Sequence, residues 1–196
     1  MSDVAKEIGL LLTSLTQQGK LAFAYSVVVR MQPQYQVFYD REGWGDPAVI
    51  KASLRAIHDN LVGTRSITHI DLLLDQLEAV IPDLDEHESY LASYAMDAGC
   101  AIHSALEYLL KSQDEQIINV AILGRDTVDM YVQELRDLSP NDPALEEKIA
   151  TDLYMVNEVG RQLSSLQRLQ GVTDLDEKLL DELAAGKMID IDLLPS

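Results

Sequence analysis

The sequence has few basic residues for its length and many acidic ones. Fifteen Lys and Arg residues stand against 33 Asp and Glu, which leaves a formal net charge of −18. Binding to nucleic acid or to an anionic membrane surface depends on basic residues, so this charge argues against both kinds of partner. The acidic residues are spread along the whole chain, which is typical of a solvated surface. Mimicry of nucleic acid, which would need clustered carboxylates, is therefore disfavoured as well.

The chain also lacks a cysteine pair and a long apolar run. Cys100 is the only cysteine, so no internal disulfide can form, and this fits a reducing compartment. No apolar run approaches the length of about 20 residues that crosses a bilayer. Residues 1–7 lack the basic start and the apolar block of a secretory signal. We therefore expect a cytoplasmic protein.

Apolar residues recur at helical spacing through almost the whole chain. Asp46 before Pro47 is a favourable start for one helix. A helix over about 87–111 is rich in Ala and Gly, which indicates a central helix that its neighbours approach closely. At the N-terminal end, residues 4–16 and 20–31 are predicted to form one helix, or two helices joined near Gly19. Capping-box pairs predict the starts of two more helices, at Thr68 with Asp71 and at Ser112 with Glu115. A long helix is predicted from Asp142 through Leu166, and a short one begins at Thr173 with Asp176.

This pattern predicts an all-α fold, namely a single-domain bundle of about six or seven helices over residues 1–196. The connections between the helices are short, and neither a repeat nor a linker divides the chain. Residues 187–196 alternate apolar and acidic side chains. They are predicted either to dock on the core or to form an extended C-terminal tail.

Several short motifs resemble those of the YjaG-like family of uncharacterised bacterial proteins. They are Arg30-Met31, Pro33, Tyr35 and Phe38, then Trp44 before Gly45-Asp46, then Leu77-Glu78 with Ile81-Pro82-Asp83, and finally Asp97-Ala98. The resemblance covers the first half of the chain clearly and the second half loosely. It implies a small all-helical fold and a bacterial source. It implies no activity and assigns no functional residue.

Asp97, Cys100 and His103 are spaced three apart on the small-residue helix, so they share about a third of its circumference. A carboxylate, a thiolate and an imidazole could together hold a metal ion, although a structural zinc site needs four protein ligands. The alternative is a polar seam in which His103 is hydrogen-bonded within the bundle, Cys100 is buried as a small apolar residue, and Asp97 pairs with an arginine. We favour the seam, because free cysteines are among the most buried residues.

Four of the eleven aromatic residues lie close together at Tyr35, Phe38, Tyr39 and Trp44. Tyr and Trp are favoured at contact surfaces, so this aromatic segment is a candidate partner-binding patch. The structural alternative is a loop that closes one end of the helical assembly, and we favour that alternative.

The sequence carries no catalytic, nucleotide or metal signature, and it predicts no cofactor. The leading interpretation is a non-enzymatic protein that acts through protein contacts, as a homo-oligomer or with another partner. The competing interpretation is a helical protein that binds a small molecule or a metal at Asp97, Cys100 and His103, with enzymatic activity left open.

Overall fold

The computed structural model describes residues 2–63 and 69–194, and all regular secondary structure in those residues is helical. The all-α prediction is confirmed, but the predicted number of helices is wrong, because this part of the chain forms nine α-helices. They are α1 (Ser2–Leu12), α2 (Gln17–Glu42), α3 (Pro47–Leu61), α4 (Ile70–Glu78), α5 (Tyr90–Lys111), α6 (Asp114–Leu135), α7 (Leu145–Thr151), α8 (Leu153–Leu169) and α9 (Glu177–Ala184), followed by a 3-10 turn at Ile191–Leu193. None of the described helices is long and apolar enough to cross a membrane.

Side-chain caps account for most of the helix starts. The carboxylate of Asp46 accepts a hydrogen bond from the Ala48 N–H at 2.8 Å, as the Asp-Pro pair predicts for α3. The capping box predicted at Ser112 is wrong, because Ser112 ends α5 in the left-handed region with φ +50°. Gln113 then precedes α6 without a side-chain capping bond. The predicted cap at Thr68 lies outside the described residues.

Two interruptions bring the number of helices to nine among the described residues, and the first selects two helices over one at the N-terminal end. Thr16 separates α1 from α2, and its hydroxyl accepts a hydrogen bond from the Gly19 N–H at 3.0 Å. Gly19 therefore lies in the first turn of α2 and is not the joint itself. The long helix predicted through Leu166 is broken at Asp152, whose backbone is extended and whose carboxylate caps α8 at the Tyr154 N–H. An Asp that can cap a helix competes locally with helix continuation.

Helix α2 continues well beyond the predicted end at Met31. Pro33 lies inside it, although a proline there removes one backbone hydrogen bond and usually bends or ends a helix. The following turns bury Tyr35 and Phe38 completely, and this burial offsets the local cost. The helix ends at Gly43, which adopts φ +69°.

Helices α2 and α5 lie at the centre and pack against each other. Helix α2 also contacts α3, α6, α8 and α9, while α5 also contacts α3, α4 and α6. Small buried residues allow the close approach predicted for α5, namely Ala92, Ala95, Ala98, Gly99, Ala101 and Ala105. At Gly99 the approach is closest, since a Cβ atom there would lie 2.6 Å from Cγ1 of Ile81.

The C-terminal segment docks on the helices over its described residues. The side chains of Met188, Ile189 and Ile191 are buried. The Tyr131 hydroxyl on α6 donates a hydrogen bond to the backbone carbonyl of Asp190 at 2.9 Å. Of the two arrangements predicted from the sequence, residues 187–194 adopt the docked one.

The contact between Gly99 and Ile81 predicts opposite effects of the same substitution at two helical glycines. Gly99→Ala gains about 1 kcal/mol of helix propensity but overpacks the core, which costs about 1–3 kcal/mol, so we expect a lower melting temperature. Gly160→Ala adds its methyl group where no surrounding atom lies within 4 Å, so we expect a gain of about 0.5–1 kcal/mol. Thermal unfolding of both variants measures the difference, and a stabilised Gly99→Ala would contradict the packing.

Candidate functional site

The structure separates the three residues of the predicted polar seam. Asp97 faces α6, where the Thr127 hydroxyl donates to its Oδ2 at 3.0 Å. The predicted pairing of Asp97 with an arginine is wrong among the described residues. His103 faces α4, with Nε2 3.1 Å from Oε1 of Glu78. Cys100 lies between them and is partly buried. Among the described residues, no group of three or more His, Cys, Asp and Glu side chains could hold a metal ion, so the geometry gives the metal interpretation no support.

The surroundings of Asp97 and Cys100 also oppose their ionised forms. Burial raises the pKa of Asp97 from 3.8 to about 6; the hydrogen bond from Thr127 lowers it, and the charge of Asp126 raises it. Burial, followed by the charge of Asp97, raises the pKa of the Cys100 thiol. A thiol with a raised pKa is a poor nucleophile and a poor metal ligand, because the thiolate is the reactive form.

The aromatic segment lies mostly on α2 and not in the predicted loop. Only Trp44 follows the end of the helix, where its ring centroid is 4.7 Å from that of His87 and 6.1 Å from that of Phe38. The buried Tyr35 hydroxyl donates to the Val80 carbonyl at 2.6 Å. Tyr39 alone of the four is exposed. These contacts join the end of α2 to the residues just before α3 and just after α4.

A buried ion pair crosses the interior between α2 and α8. The two terminal nitrogen atoms of Arg30 donate to the two carboxylate oxygen atoms of Glu158, and both side chains are almost completely buried. Gln162 donates to Glu158 Oε1 at 2.9 Å and to the backbone carbonyl of Ala121 at 3.1 Å. This network links α2, α6 and α8, and it occupies both oxygen atoms of Glu158.

A second arginine, Arg125 on α6, is buried without a carboxylate of its own. It is 4% exposed, and its Nε donates to the Ala121 carbonyl at 3.3 Å. Neither Nη atom donates to another residue in the described part of the chain. Burial lowers the pKa of this guanidinium, and the charges of Asp126 and Glu158 act in the opposite direction. The group stays charged, because arginine does not lose its proton in proteins.

Arg125 lines a cleft of about 550 Å³ between α1, α6, α7 and α8. The walls are mainly apolar, and three acidic side chains join Arg125 as charged lining groups. The apolar lining consists of Val4, Ile149, Ala150, Met155, Val156, Val159 and Gly160, and the acidic lining of Asp129, Glu146 and Glu147. The cleft can therefore take an apolar body and offer one buried positive charge to a polar end.

Sequence reasoning missed this cleft, although one signal for it was present. Arg125 lies four residues after Ala121 and three before Val128, and the apolar pattern places both of those residues on the inner face of α6. An arginine on that face is a buried charge and needs a partner. The partner of Arg30, by contrast, lies 128 residues away, and no local pattern indicates it.

The fold places the chain among all-helical proteins, and comparison with known proteins identifies the family. Residues 8–188 match the family described as "Protein of unknown function (DUF416)", and the chain belongs to that family. The "Uncharacterized protein YjaG" of Escherichia coli K12 is 28% identical over 155 residues, covering 72% of this chain and 76% of that protein. The resemblance to the YjaG-like family is thus confirmed.

A solved structure supports the same assignment. The crystal structure of a DUF416 family protein from Shewanella baltica OS155 superimposes with a TM-score of 0.79 at 30% sequence identity. The match covers 88% of this chain and 89% of the other.

The raised pKa of Asp97 predicts a pH-dependent effect of Asp97→Asn. In the folded state Asp97 stays protonated up to pH about 6, whereas its ordinary pKa is 3.8. The stability that this bound proton contributes is therefore complete below pH 3.8 and is lost as the pH rises through 6. Asn never ionises, and its side-chain oxygen can still accept from Thr127. The stability of the variant relative to the parent should rise with pH, by about 3 kcal/mol at most.

Urea unfolding of both proteins at pH values below 3.8 and above 6 measures this change. Asp142→Asn is the control of opposite sign, because the hydrogen bond from Lys148 lowers the pKa of Asp142. Its relative stability should fall as the pH rises through 3.8. A pH-independent difference between Asp97→Asn and the parent would show that Asp97 is not held in its protonated form.

Proposed function

We propose that this protein is a non-enzymatic binding protein whose ligand is a small molecule with an apolar body, held in the cleft between α1, α6, α7 and α8. The observation that carries the proposal is the cleft itself. Its volume of about 550 Å³ falls within the range of small-molecule sites, and its lining is mostly apolar with one buried polar group.

Small-molecule binding is also the competing interpretation drawn from the sequence, but the site is now the cleft and not Asp97, Cys100 and His103. Asp97, Cys100 and His103 face different neighbours, whereas the cleft gathers its lining from four helices. The side chains that line the cleft include no Cys, His or Ser in the described residues, so the nucleophile–base pairs of covalent catalysis are not assembled there. Binding is the function that this set of side chains supports.

We place this activity in the cytoplasm, away from nucleic acid and membrane surfaces. The support is compositional: one cysteine fits a reducing compartment, and a net charge of −18 repels polyanions. Fractionation of a cell that expresses the protein at its natural level addresses the location directly.

Filling the cleft at Gly160 tests the proposed function. Gly160 lies on α8, lines the cleft, and has open space where a side chain would begin. We expect the parent protein to bind the neutral apolar probe N-phenyl-1-naphthylamine saturably, with increased probe fluorescence. Gly160→Phe should abolish this binding by occupying the cleft, and Gly160→Ala, which adds one methyl group, should retain it.

Both variants should remain folded, because the new side chains enter open space on a helix whose propensity improves. Melting temperatures at or above that of the parent establish this. The proposal is wrong if the parent shows no saturable signal, or if Gly160→Phe binds the probe as the parent does.

A second candidate function is self-association, which we propose on the evidence of exposed apolar side chains on α8. Leu153 is 71% exposed and Val156 is 50% exposed. They lie three residues apart and therefore share one face of the helix. A second copy of the chain presenting the same face would cover both in a two-fold contact.

Sedimentation velocity over a range of low micromolar concentrations tests this candidate. We expect the parent to form dimers and Leu153→Glu to be monomeric, because a charge at the centre of the contact opposes desolvation. Leu72→Glu is the matched control, since Leu72 on α4 is also exposed, at 57%, and should remain dimeric. A parent that sediments as a monomer throughout would remove this candidate.

A further inference from the structure

We infer that the ligand of the cleft carries both a carboxylate and an ammonium group on its apolar body, as an apolar amino acid or short peptide does. This inference rests on the proposed function and adds the chemical class of the ligand. Its basis is the charge of the lining. Within residues 2–63 and 69–194, one buried guanidinium has no carboxylate partner and three carboxylates have no cationic partner.

Arg125 is the group that receives the ligand carboxylate. Two carboxylates act on it by their charge, Asp126 and Glu158. Glu158 is already engaged at both oxygen atoms by Arg30 and Gln162, and Asp126 forms no ion pair with Arg125 among the described residues. The Nη donors of Arg125 therefore have no acceptor in the internal network, although the side chain is 96% buried. A guanidinium binds a carboxylate through two parallel hydrogen bonds, and it does so most strongly where water is excluded.

Asp129, Glu146 and Glu147 are the groups that receive the ligand ammonium. None of them forms an ion pair in the described part of the chain. Asp129 Oδ1 accepts a hydrogen bond from the neutral Gln133 side chain at 2.6 Å. Glu146 and Glu147 are exposed residues at the first turn of α7. All three carboxylates line the same cleft as Arg125.

The balance of charge favours this class over a simple acid or a simple amine. A simple anion would pair with Arg125 but would face three carboxylates of the lining and a chain of net charge −18. A simple amine would pair with the carboxylates and leave the Arg125 guanidinium without an anionic partner. A molecule with both groups has no net charge and satisfies both parts of the lining.

Four related probes test the inference by isothermal titration calorimetry with the full chain. L-leucyl-L-leucine has both charges, its N-acetyl form lacks the ammonium, and its C-terminal amide lacks the carboxylate. We expect the unmodified dipeptide to bind at least about tenfold more tightly than either blocked form, since one charge-assisted contact is worth that much. Free L-leucine distinguishes an amino-acid ligand from a peptide ligand. An affinity comparable to that of the dipeptide identifies an amino-acid ligand, and a weaker affinity identifies a peptide ligand.

Two sets of variants assign the charges to residues. Arg125→Met should bind the dipeptide and its amide equally, because the carboxylate no longer has a partner. The double variant Glu146→Gln/Glu147→Gln should lose much of the preference for the free ammonium, and its surface positions leave folding intact. Arg125→Lys keeps the buried charge, and it should retain part of the carboxylate preference if Arg125→Met fails to fold.

Equal affinity of the parent for all three dipeptide forms would overturn the inference. So would a preference that persists unchanged in the double glutamine variant and in Arg125→Lys or Arg125→Met. Failure of the dipeptide to bind, while N-phenyl-1-naphthylamine still binds the parent and not Gly160→Phe, would overturn the charge assignment alone. Failure of both kinds of probe would overturn the proposed function as well.

Discussion

The buried ion pair between Arg30 and Glu158 is the interaction on which the interior of the protein depends. It joins α2 to α8 through two hydrogen bonds, and Gln162 extends the link to the α6 backbone. Removing one member of a buried pair leaves an uncompensated charge and typically costs about 3–5 kcal/mol. The pair therefore fixes the relative positions of three helices, and two of them line the cleft.

The same pair determines the electrostatics of the cleft. Because Arg30 engages both oxygen atoms of Glu158, the second buried arginine, Arg125, has no carboxylate left within the network. Arg125 is buried on α6 and lines the cleft, so a bound ligand can supply the carboxylate that the network does not. The proposed ligand chemistry thus follows from an imbalance of charge inside a protein whose surface is strongly acidic.

The sequence predicted those helix features that depend on residues close together along the chain. The start of α3 at Asp46-Pro47 is set by adjacent residues, and the structure contains it. The Ala and Gly residues of α5 indicate close packing by their size alone, and they are buried in the structure. The continuation of α2 through Pro33 depends on the burial of Tyr35 and Phe38 in the following turns, which the local pattern does not show. The break at Asp152 follows from the cap that its carboxylate makes, which the apolar periodicity alone does not reveal. Sequence reasoning missed the candidate site because the four helices that line it meet only in the fold.

The central claim is that Arg125 presents an unpaired guanidinium to the cleft and receives a ligand carboxylate there. A crystal structure of the protein with L-leucyl-L-leucine tests it most directly. The account predicts the dipeptide carboxylate within hydrogen-bonding distance of both Nη atoms of Arg125, its side chains against Met155 and Val159, and the Arg30–Glu158 pair intact. A structure in which Arg125 instead pairs with Asp126 or Asp129, with the dipeptide elsewhere or not bound, would contradict it.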